Sequence, residues 1–262
     1  LAFSAGMTIS TFILAPLSEI IGWHVTLSMF GGFGLVGGVA WVILGRAQRI
    51  SANKEIFSHL VRRTWEIVRD RNTMLIALGD IGPFALMSVS MAWLPTFYLD
   101  RYGIPLTTGG IITGVLSLSG GIALALATLA TARTFKRRPF LIIPGIVTGF
   151  AGFASILLGN SIAIYIAVAC VGFVCWFYIP ALLTIPMDLY PNDPRRVSLI
   201  FGIIMSVGGI AGASAAPLTG IIADITGSLM PGLAFFAVLG WSLAIAGILL
   251  PEPATLRADS ED

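Results

Sequence analysis

A single aspartate, Asp80, interrupts the apolar run from 73 to 99, and Gly82 and Pro83 follow it almost at once. If that run crosses a membrane as a helix, the carboxylate lies about 12 Å from its end, at a rise of ~1.5 Å per residue. A charge held that deep in hydrocarbon is costly unless it is hydrated, paired or protonated. Pro83 has no N–H to give the carbonyl of Gly79, so the sequence predicts an unsatisfied acceptor and a broken helix beside the acid. That combination suits an ion or substrate site. The same carboxylate would serve equally as a hydrogen-bonded tie to a neighbouring helix. Phe84, Met87, Met91 and Leu94 continue its helical face, as packing or as the wall of a binding cavity.

A second constellation is Trp176-Phe177-Tyr178, two residues before Pro180. The proline frees the carbonyl of Trp176, and aromatic side chains at mid-membrane present an amphipathic surface at low entropic cost. Trp176 and Tyr178 are candidate substrate-contacting residues beside Asp80, with core packing as the alternative. Trp93, at the outer end of its apolar run, reads as an interfacial anchor. Cys170 and Cys175 fall on different faces of one helix and read as small packing residues, without disulfide or metal spacing.

Other chemistry lacks its residues. There is no Gly-x-x-x-x-Gly-Lys-Ser/Thr phosphate loop, no His-Glu-x-x-His and no Gly-x-Ser-x-Gly. ATP-driven transport, zinc hydrolysis and serine hydrolysis therefore find no support. The two histidines, His24 and His59, lie near membrane edges. No catalytic residue, metal or cofactor is expected.

The elements that hold these residues are apolar stretches at about 1 to 22, 27 to 45, 73 to 99, 107 to 132, 139 to 159, 162 to 187, 197 to 223 and 230 to 250. Each approaches the roughly 20 residues that a bilayer requires. Only Glu19 and Asp80 are charged within them. A composition of 56% hydrophobic and 11% charged residues, with 30 glycines, suits a chain that buries its apolar surface in lipid. If successive spans alternate in direction, fourteen of the fifteen Lys and Arg residues fall on one side, and Arg101 stands alone on the other. The excess marks the cytoplasmic side, so the 46 to 72 loop and the C-terminus are expected there. These clusters suit topology and anionic lipid, not nucleic acid.

Residues 1–45 therefore read as two helices of a first unit, 46–72 as a cytoplasmic linker, 73–250 as a six-helix unit and 251–262 as a cytoplasmic tail. In the linker, Phe57, Leu60, Val61, Thr64 and Val68 share a helical stripe among arginines, which predicts an amphipathic interfacial helix. Gly208, Gly212, Ala216 and Gly220 recur every four residues, a smooth ridge for close helix approach. Gly34 with Gly38, Gly110 with Gly114 and Gly145 with Gly149 repeat the spacing, for static packing or for helices that slide.

Ala15 to Ile21 matches Ala216 to Ile222 with five identities and one Ser/Thr exchange, at an offset of 201. This reads as a parallel duplication, with a chance match between apolar segments as the alternative. If residue 73 opens the second copy, the first would open about 130 residues before Leu1, enough for four more helices.

Two six-helix halves joined by a basic loop resemble the major facilitator superfamily of secondary transporters. Leu129 to Arg138 is similar to that family's Gly-x-Leu-Ala-Asp-Arg-x-Gly-Arg-Arg loop between helices 8 and 9. It departs at Ala132, where the family has Asp, and at Phe135, where it has Gly, so the acid of an ion pair is missing from its usual place. Asp188-Leu189-Tyr190-Pro191 with Arg195-Arg196 is similar to the loop between helices 10 and 11. The glycines around Pro217 resemble a Gly-x-x-x-Gly-Pro-x-x-Gly helix.

The resemblance implies an all-α polytopic transmembrane bundle, eight spans of a twelve-helix, two-half fold. It implies an integral inner-membrane protein that moves a small solute by alternating access, coupled to a proton or another ion. Trp93 to Leu99 with Gly103 resembles branches that carry small anions such as cyanate and organic carboxylates. The spans contain no Arg or Lys, so a cationic clamp would have to lie elsewhere, and nitrate-type permeases fit poorly. Two alternatives remain, a polytopic membrane-bound enzyme and a non-transporting sensor of transporter fold.

Overall fold

The computed structural model describes residues 20–44, 64–134, 136–159 and 161–251, with isolated positions 13, 17, 18 and 62. Its helices are α1 (Trp23–Leu44), α2 (Arg71–Tyr102), α3 (Leu106–Ala132), α4 (Pro139–Leu157), α5 (Ser161–Phe177), α6 (Ile179–Leu189), α7 (Pro194–Thr226), α8 (Met230–Leu239) and α9 (Ser242–Leu249). Seven segments among the described residues are long and apolar enough to cross a bilayer, α5 with α6 and α8 with α9 each counting as one. The chain is an all-α polytopic bundle.

Seven of the eight expected apolar stretches are thereby accounted for. Most of the first, including Ala15, Pro16 and Glu19 of its copy of the repeat, lies outside the described residues. So do most of the linker, His59 included, and the tail from 252. The linker's last turn, 64–68, is helical, and Ile67 enters the core.

Local chemistry sets the helix ends. Asp70 caps α2 by accepting from the Thr73 amide at 3.1 Å, and Asp193 caps α7 by accepting from the Arg196 amide at 3.0 Å. Gly103 and Gly227 close the same two helices in the left-handed conformation, φ 66° and 72°, which glycine adopts without steric cost. Large apolar side chains such as Leu129, Phe150, Ile166 and Ile225 face outward. Lipid, not water, is the medium that suits such a surface.

Within the bundle, α2 lies between α7 on one side and α8–α9 on the other, while α3 packs along α5. At Gly82 the backbone of α2 comes close to the α8–α9 pair. A Cβ there would collide with the Leu239 carbonyl, so only glycine admits this crossing. Gly145 and Gly149 pack against Ala244 and Trp241, as their spacing implies. Gly34, Gly38 and Gly110 meet nothing within 4 Å among the described residues, and Thr26 is the only buried residue of α1.

The expected break at Pro83 does not occur, for α2 runs unbroken through Pro83 and Pro95. Ser242, the first residue of α9, donates its hydroxyl to the Gly79 carbonyl at 3.1 Å and accepts from the Gly82 amide at 3.2 Å. One side chain from another helix therefore replaces the partner that Pro83 cannot supply. The second proline constellation behaves as a discontinuity. Tyr178 separates α5 from α6, with Pro180 in the first turn of α6.

Candidate functional site

Asp80 is the tenth residue of α2, about 14 Å from its start at ~1.5 Å per residue, and its side chain is 2% exposed. Oδ1 accepts a hydrogen bond of 2.6 Å from the Tyr178 hydroxyl, delivered from the discontinuity between α5 and α6. Oδ2 has no hydrogen-bond partner among the described residues. It rests against Gly208 of α7, where a Cβ would occupy its place.

The small-residue ridge of α7 faces α2, and successive turns of α2 are read off against it. Asp80 meets Gly208, and the Phe84 ring lies 2.8 Å from where a Gly212 Cβ would stand. Ser88 donates to the Gly212 carbonyl at 2.7 Å, and Trp93 donates to the Ala216 carbonyl at 2.9 Å while covering Gly220. Trp93 is therefore tied into the seam between the two helices. The absence of side chains on the ridge lets polar atoms of α2 reach α7 carbonyls.

Beside this seam, between α2 and the end of α5, lies a cavity of about 360 Å³ lined by Phe84, Met87, Ser88, Met91, Ala92, Cys175, Trp176 and Ile179. The stripe of Phe84, Met87 and Met91 therefore forms a wall, whereas Leu94 is wholly buried in the core. Trp176 lines the cavity and packs its indole on Gly120 of α3. Tyr178 does not line it: its side chain is fully buried and engages Asp80 instead. Phe84 borders both places, close to Gly208 and Asp80 on one side and to the cavity on the other.

A second cavity, about 380 Å³, opens between α4 and α5 and is lined by Pro139, Phe140, Ile143, Pro144, Val147, Cys170, Phe173, Val174 and Phe177. None of these side chains carries a polar group beyond the Cys170 thiol. The first cavity, with Ser88 and the neighbouring Asp80, is the better candidate for a solute. No cluster able to hold a metal ion occurs among the described residues.

At the arginine-rich end two ion-pair systems join the loops. Arg137, 7% exposed, pairs with Asp188 at 2.9 Å and donates to the carbonyls of Thr131 and Thr134 at 2.8 and 2.9 Å. The acid paired with this loop's arginine is therefore Asp188, in the last turn of α6. Arg196 lies 3.8 Å over the Tyr190 ring and 3.5 Å from Asp70, and Tyr190 donates to Asp70 at 3.1 Å. Burial and the Asp70 carboxylate push the Tyr190 phenol above its ordinary range, so it stays a neutral donor. Arg138 donates to the carbonyls of Gly247 and Ile248 at the end of α9. Sequence reading placed these charges at one end but missed the pairs, whose signal was the acids Asp70 and Asp188 amid the basic residues.

The family model described as Major Facilitator Superfamily matches residues 1–213. A D-galactonate transporter of Escherichia coli O6:H1 is 20% identical over 94% of this chain and 63% of its own length. NicT of Pseudomonas putida, named as a metabolite transport protein, is 24% identical over 67% of this chain and 41% of its own length. The chain spans less than two thirds of the length of these curated relatives.

Proposed function

This chain belongs to the major facilitator superfamily, and from that premise we propose that it carries a small solute across the membrane by alternating access, with Asp80 as the proton-coupling group. The observation that carries this reading is a buried Asp80 whose Oδ1 is held by Tyr178 and whose Oδ2 has no partner among the described residues. A neutral carboxyl fits this buried position between α2 and α7. An ionised one demands water or a cation, because a bare charge in a medium of low dielectric is strongly disfavoured.

Loss of the proton would therefore favour a facing state in which the seam between α2 and α7 admits water. Regaining it would favour the closed seam. Tyr178 keeps the carboxyl oriented through both. Movement along the glycine ridge costs few interlocking side chains, which suits rocking of one helix on the other. The solute would lie in the adjoining cavity against Phe84 and Trp176, so that its arrival and the state of Asp80 are felt by the same ring, Phe84. No bond-making step is assigned to the chain.

The orientation proposed from the charge distribution puts the end bearing Arg137, Arg138 and Arg196 in the cytoplasm. The six helices within 73–250 are proposed to form one half of the transporter, with α7 moving on α2 inside it, and the inner membrane is the proposed location. An organic anion remains the proposed kind of solute, by the sequence resemblance around Trp93.

Uptake into proteoliposomes under an imposed pH gradient tests this function. Accumulation that a protonophore collapses supports it; uptake indifferent to both gradient and protonophore refutes proton coupling.

A further inference from the structure

The wall of the solute cavity carries information about the molecule that meets it. Phe84, Met87, Met91, Ala92, Trp176 and Ile179 contribute carbon and sulfur surface, and none of the lining side chains is charged. Ser88 offers a hydroxyl, but its proton is already committed to the Gly212 carbonyl at 2.7 Å, leaving only acceptor capacity. We infer that this cavity receives the planar, apolar body of an organic acid, set against the Phe84 and Trp176 rings that line it, and not a polyhydroxylated chain. The inference rests on the transport reading for the idea that a solute enters here, and it adds the class of solute.

Three physical points support it. Aromatic faces bind planar rings by offset stacking, and methionine thioethers adapt to their edges with favourable sulfur contacts. The Trp176 indole is fixed by its packing on Gly120, so that part of the wall is already in place before a solute arrives. A sugar acid would bring several hydroxyls to a wall whose described side chains offer few polar atoms, the Ser88 hydroxyl, the Cys175 thiol and the Trp176 indole N–H. Each hydroxyl left without a partner weakens binding by about tenfold or more. The cavity thus discriminates against D-galactonate, the solute in the name of one relative, and in favour of an acid with an aromatic ring.

Two monocarboxylates that differ in body, benzoate and D-galactonate, are suitable probes. The reporter is Ala92→Cys, an exposed position on the cavity wall, combined with Cys170→Ser and Cys175→Ser so that one thiol remains. Alkylation by N-ethylmaleimide is followed by mass spectrometry in proteoliposomes. Benzoate at millimolar concentration is expected to slow alkylation fivefold or more while D-galactonate leaves the rate unchanged, and Trp176→Ala should remove the benzoate effect. If the triple variant does not fold, Ala92→Cys with Cys170→Ala and Cys175→Ala replaces it, the smaller apolar residue suiting the buried place of Cys175.

Equal protection by D-galactonate, or protection by neither probe, overturns the inference. Protection by benzoate without any pH-driven uptake upholds the cavity assignment and sinks the coupling reading instead. D-galactonate uptake without benzoate protection sinks the cavity assignment and leaves coupling intact.

Discussion

The Tyr178 hydroxyl donates to Oδ1 of Asp80 at 2.6 Å across 98 residues of sequence, and both side chains are buried. Tyr178→Phe removes that donor and leaves neither carboxylate oxygen with a described partner. Hydrogen bonds to charged groups contribute about 1.5–3 kcal/mol, so the carboxyl group of Asp80 loses the contact that orients it. The expected result is a folded protein whose pH-driven uptake falls at least tenfold while solute exchange persists. Wild-type coupling in this variant would make the contact structural only.

Gly208 and Gly209 make a matched pair for testing the seam. A methyl at Gly208 would collide with Oδ2 of Asp80, whereas one at Gly209 meets nothing within 4 Å. Gly208→Ala should cost about 1–3 kcal/mol through overpacking and should impair uptake; Gly209→Ala should do neither. Melting temperatures in detergent and uptake rates for the two variants decide the matter.

Ser242 supplies the backbone partner that Pro83 cannot. Ser242→Ala strands the Gly79 carbonyl beside Asp80, and an unsatisfied buried acceptor costs about 1–3 kcal/mol. A lowered melting temperature is expected, restored by the double variant Pro83→Ala with Ser242→Ala, in which the amide of residue 83 reaches Gly79.

Arg137 and Asp188 should behave as one unit. Removing either leaves the other poorly compensated in a sparsely hydrated place, so Arg137→Ala and Asp188→Ala should each destabilise more than half as much as both together. A double-mutant cycle on thermal stability should give a coupling of about 1–3 kcal/mol; strict additivity would mean that the pair is incidental.

Topology is tested by single cysteines at Lys136, Arg195 and Arg101. An impermeant maleimide applied to whole cells should label only the cysteine at Arg101. Labelling of all three from outside would overturn the proposed orientation.

The spans were legible because a bilayer imposes a local requirement, some twenty apolar residues, that a one-dimensional reading can see. Asp80 was legible for the same reason, as the lone charge in its run. Its partner was not. Tyr178 became a donor to Asp80 only because the chain is interrupted there and α5–α6 is brought against α2, a relation with no trace in spacing. Pro83 misled for a related reason, since its lost hydrogen bond is restored by Ser242 from a distant helix. The ridge from Gly208 to Gly220 was visible as a period of four, yet the identity of its neighbour came from packing.

The central claim, that Asp80 carries the coupling proton, is tested most directly by Asp80→Asn, which keeps size and hydrogen-bonding capacity but cannot titrate. Parent and variant are reconstituted, a pH gradient is imposed, and accumulation of radiolabelled benzoate or D-galactonate, whichever the parent accumulates, is measured across a range of pH against protein-free vesicles. The account predicts that the variant equilibrates and exchanges solute but no longer concentrates it, with little dependence on pH. Accumulation equal to the parent's, with an unchanged pH profile, would contradict it.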